Sequence, residues 1–110
     1  MKIYEEHDEE GKLVYFEVPN SLLSRTTAIK IVKSIPGVEV IEEKMRDDAF
    51  CTFKLGDRIF EIWEPYGDSS RFHIGEITIQ NSNELEVVKQ RFSIYKPSLL
   101  ALIVDIIFHR

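Results

Sequence analysis

The chain has 110 residues, 44% of them hydrophobic and 30% charged, with a formal charge of −5. That size and balance predict one globular domain spanning residues 1–110, able to bury a core without metal or disulfide staples. The acidity excludes loose adsorption to nucleic acid, which depends on many Lys and Arg contacts, and the lone Cys51 excludes an internal disulfide.

The opening segments "KIYEEH" and "KLVYFEV" alternate as strands do. They are joined by "DEEG", where Gly11 supplies the positive φ of a tight turn. "MKIYEEHDEE" has no apolar core of the signal-peptide kind, so a cytoplasmic location is expected. Pro19 ends the second strand, and Asn20 or Ser21 is placed to cap the helix that follows, "SLLSRTTAIKIVKSI". Leu22, Ala28, Ile29, Val32 and Ile35 project to one side of that helix, and Thr26, Lys30, Lys33 and Ser34 to the other. Arg25 falls by angle among the apolar residues; a snorkelling stem near the helix start is the expected arrangement, and a buried anion ligand is the alternative. Arg25, Lys30 and Lys33 are the only basic cluster, and without interleaved aromatics they read as a solvated helix face rather than a phosphate footprint. Pro36 and Gly37 stop the helix.

A meander follows: "VEVIEE", "AFCTFKL", "RIFEIWE" and "RFHIGEITI". Gly56-Asp57 is a two-residue hairpin signal with glycine first. In "RIFEIWE" Ile59 and Trp63 flank Glu61 on one face while Phe60 and Ile62 lie on the other, so this strand is expected at the centre of the sheet. Cys51, between Phe50 and Phe53, is expected in the core as a small unreactive thiol.

Asn83 and Glu86 have capping-box spacing ahead of "ELEVVKQRFSIY", in which Leu85, Val88, Phe92 and Tyr95 recur at helical spacing. Pro97 breaks that helix and can open another, "SLLALIVDIIF". There Leu99, Leu100, Leu102, Ile103, Val104, Ile106, Ile107 and Phe108 cover nearly the whole circumference, leaving only a Ser98–Ala101–Asp105 stripe. A helix apolar on most sides needs cover on several sides, and a second copy of the chain is a natural source. A homodimer through Leu99, Leu100, Leu102, Ile103, Ile106, Ile107 and Phe108 is therefore expected, the alternative being burial within the subunit. The uninterrupted apolar run, Leu99 to Val104, is far shorter than the roughly 20 residues of a membrane span.

The element order ββ-α-ββββ-αα predicts an α+β domain with a mainly antiparallel sheet of five to six strands and helices on one face. Chemistry is harder to find. "HDEE", His7 to Glu10, reads as an acidic turn, because neighbouring strand residues point to opposite faces and do not converge on a metal. No zinc, calcium, phosphate-loop, dinucleotide or serine-elbow motif is present, and no cofactor or metal is expected.

The best candidate is "WEPYGDSSRFHIG", Trp63 to Gly75, whose centre has turn chemistry and whose flanks carry reactive types. Three readings fit it: hairpin and core only; a protein-binding patch of Trp63, Tyr66 and Arg71, residue types enriched at interface hot spots; or a site in which His73 acts as acid or base, Glu64 or Asp68 orients it, and Arg71 holds an anion. Arg71 is expected to join Glu64 or Asp68, or to stack on an aromatic ring. The leading expectation is a non-enzymatic interaction module that self-associates and docks a protein partner. The alternatives are a small hydrolase or isomerase acting on an anionic metabolite, and a small-molecule binder using Trp63–His73.

Overall fold

The computed structural model of the chain describes residues 1–21, 23–65, 70–78 and 83–96. Six strands, β1 Tyr4–His7, β2 Leu13–Pro19, β3 Glu39–Glu43, β4 Ala49–Leu55, β5 Arg58–Trp63 and β6 Arg71–Glu76, form one antiparallel sheet in the order β1-β2-β6-β5-β4-β3. Helix α1, Arg25–Lys33, crosses from β2 to the far edge strand β3, and α2, Asn83–Ile94, follows β6. This is the α+β class expected from the alternation of patterns. The apolar segment Ser98 to Phe108, expected as a final helix, lies outside the described residues.

Local chemistry explains the hairpins. Asp8 Oδ1 accepts from the backbone N–H of Glu10 and of Lys12, both at 2.9 Å, so the acid caps its own turn while Gly11 takes φ +81°. Between β4 and β5, Leu55 faces Arg58 across Gly56-Asp57. Gly56 has φ +62° and Asp57 does not share it, the pattern of a type II′ turn whose twist matches the flanking strands.

The first helix starts later than its apolar spacing suggests. Ser24, not Asn20 or Ser21, is the N-cap, accepting the Thr27 N–H at 3.1 Å. The reason is tertiary. Asn20 is occupied elsewhere: its N–H reaches the Ser70 carbonyl at 3.1 Å and its side-chain amide reaches Glu64 at 3.1 Å. Beyond Ser24 the expected amphipathicity holds, with Ala28, Ile29, Ile31, Val32 and Ile35 buried and Lys30, Lys33 and Ser34 exposed.

The two faces of the sheet differ. On one, Phe16 and Val18 of β2, Phe72 and Ile74 of β6, Phe60 and Ile62 of β5 and Phe53 of β4 are buried with the apolar stripes of both helices. Phe92 of α2 meets Phe16 edge-on at 5.8 Å, fixing helix to sheet. β5 is central, as expected, but only this side of it is buried: Ile59 is 43% exposed on the other. Cys51 is buried within the core cluster.

Candidate functional site

The face of the sheet opposite α1 and α2 carries the chemistry. Registers place Tyr4, Glu17, His73 and Trp63 in one row across β1, β2, β6 and β5. The next row on the same face is Glu6, Tyr15, Gly75, Glu61 and Thr52. These rows follow from strand alternation, since on β2, β4, β5 and β6 each of these residues is one step from a buried Phe, Ile or Val.

Three rings gather here. Tyr15 stacks on His73 at 5.5 Å and 15°, Trp63 lies 5.2 Å from His73 and 6.3 Å from Tyr15. Gly75 makes the cluster possible. An added Cβ at that position would lie 2.9 Å from the Tyr15 Cβ, so only a residue without a side chain leaves room beside the tyrosine.

Polar partners surround the rings. Glu17 Oε2 lies 3.4 Å from His73 Nε2 and 3.5 Å from an Arg71 nitrogen. The Arg71 guanidinium also sits 3.6 Å over the centre of the Tyr4 ring. The Tyr15 phenol is raised above its ordinary value of 10.0, first by burial and then by the nearby carboxylates of Glu6 and Glu17.

The candidate residues therefore separate into two groups. Trp63, Arg71 and His73 come together, with Trp63 directly opposite His73 in register. Glu64 does not join them. It binds the helix start instead: Arg25 Nε and Nη2 donate to Glu64 Oε1 at 3.1 and 2.9 Å, and Asn20 donates to Oε2. Arg25 Nη1 also donates to the carbonyls of Met45 and Asp47, and its guanidinium lies 4.7 Å over Phe50. The arginine that fell among apolar residues is an internal anion ligand, and its anion is Glu64. Tyr66 and Asp68 lie outside the described residues.

Reading the hairpin alone missed Tyr4, Tyr15 and Glu17. Tyr15 and Glu17 have the right parity, alternating with buried Phe16 and Val18, but their nearness to His73 depends on β2 pairing with β6, far away in sequence. No match came from comparison with protein-family models, curated proteins or solved structures. The chemistry of this face has to be read from its own residues.

Arg71 contacts Glu17 and the Tyr4 ring. Among the described residues no group of three or more His, Cys, Asp and Glu could hold a metal ion. His7 lines a separate cavity of about 540 Å³ with Lys12, Arg58 and Glu84. Among the described residues no helix is long and apolar enough to cross a membrane.

Proposed function

We propose that the protein is a cytoplasmic, non-enzymatic interaction module that docks a protein partner on this sheet face and self-associates through the apolar run from Leu99 to Phe108. The observation that carries the docking reading is the partly buried Tyr15–His73–Trp63 cluster on the side away from the helices. Tyrosine and tryptophan supply large contact area at low entropic cost and are enriched in interface hot spots. Self-association is supported by the sequence of the run itself and by apolar surface on the helix layer. Val87 and Ile94 of α2 are 49% and 57% exposed and line a groove of about 630 Å³ with Ile35 and Pro36.

Sedimentation of the full chain at micromolar concentration tests self-association. A dimer that dissociates on dilution, and that Ile103→Asp abolishes, is the expected result. A monomer at every concentration removes that half of the reading.

One observation favours a second reading. His73 Nε2 lies 3.4 Å from a Glu17 carboxylate oxygen, an acid–base pairing of the kind that orients an imidazole for catalysis or ligand binding. In that case the protein is a small-molecule binder or a small enzyme, and native mass spectrometry of the purified chain would show a small ligand lost on His73→Ala.

A further inference from the structure

We propose that the Tyr15–Trp63 pair, bordered by Glu6, Glu17 and Glu61, is the seat for an arginine or lysine side chain carried on a segment of a protein partner. The proposal rests on the interaction-module reading and names the chemistry of its partner.

The face already holds one contact of this kind within the molecule, Arg71 over the Tyr4 ring beside the Glu17 carboxylate. An aromatic face attracts a cation through its quadrupole, and an adjacent carboxylate adds a charge-assisted hydrogen bond. Around Tyr15 and Trp63 the rings and acids are present, yet neither Glu6 nor Glu61 makes an ion pair among the described residues. Gly75 lies opposite both Tyr15 and Glu61 in register, so no side chain stands between the tyrosine and the glutamate along that row.

The charge continues past β5. Glu61 also lines a cavity of about 330 Å³ with Glu42, Asp47, Thr52 and Lys44. Lys44 is held by Glu42 at 3.0 Å, so carboxylates outnumber ammonium groups there. Arg71 and Lys54 are cations on the same face, but a basic segment crossing β5 at Glu61 meets an excess of carboxylates there.

Trp63 is the only tryptophan in the chain, so its emission reports the site directly. The full chain is titrated with hexa-arginine, hexalysine, hexaglutamate and the free polyamine spermine. A saturable change with the two basic peptides, weakened by salt and absent with hexaglutamate, is expected. Glu61→Gln should lose roughly tenfold in affinity, the scale of one charge-assisted hydrogen bond. Glu39→Gln, on the edge strand, should lose almost nothing, and thermal melts establish that both variants are folded. Equal losses from the two variants reduce the effect to net charge and overturn the proposal. Spermine binding as tightly as the peptides overturns the choice of a protein segment. Emission that ignores every cation but changes on dilution, in step with dimer dissociation, assigns the face to self-association; it overturns this proposal while the interaction-module reading stands. No response to cations and no dimer would end both.

Discussion

Burial decides the behaviour of Cys51. Removal from water pushes its thiol up from 9.0 to about 12, the Glu43 carboxylate adds to the rise, and Lys33 partly opposes it. Below pH 9 the thiol is protonated in both the folded and unfolded chain. Between 9 and about 12 only the unfolded chain ionises, so stability falls as pH rises through that window. Ellman's reagent at pH 8 should therefore leave native Cys51 unmodified and react promptly after denaturation. The Arg25–Glu64 pair is the other residue-scale determinant. Both side chains are mostly buried, 23% and 16% exposed, so surface screening is limited. Glu64→Gln should cost about 2 kcal/mol in chemical denaturation. Arg25→Lys should cost a similar amount, because an ammonium cannot reproduce the fork that spans Glu64 and two loop carbonyls.

Elements are held by their stripes. Helix α2 buries Leu85, Val88 and Phe92, and Phe92 is the one seated edge-on against β2. Phe92→Ala should destabilise by about 3–5 kcal/mol in a denaturant titration, with Val87→Ala, on the exposed side, within about 0.5 kcal/mol of the parent. The edge strands obey a different constraint. β1 exposes Glu5 and Glu6, and β3 exposes Glu39, Glu42 and Glu43, charges that oppose pairing with another chain. Period-two alternation and the Gly56 turn made the strands readable from sequence because both are short-range effects. The helix start was misplaced because its cap was settled by a distant glutamate, Glu64, through Asn20 and Arg25.

At the scale of the molecule, acidic edges oppose rim-to-rim pairing of copies, and the apolar surface lies instead on the helix layer at Val87 and Ile94. If the chain is a dimer, its thermal midpoint rises with protein concentration by mass action, and Ile103→Asp removes that dependence. Sheet content and the burial of one helix face followed from local pattern, whereas β5 is central through its pairing with β4 and β6 and not through cover on both faces. The site was only half legible. Trp63, Arg71 and His73 share one hairpin, so their proximity could be read, but the acid that meets His73 is Glu17 on another strand.

The sequence by itself determined where strands turn, which side of each element is apolar, and that Cys51 sits among aromatics, because sterics and side-chain alternation act over a few residues. Only the tertiary structure decided which carboxylate meets which cation. Glu64 went to Arg25 and Glu17 to Arg71 and His73 once β2 paired with β6, since a charge acts on what lies near it in space, and chain folding sets that distance.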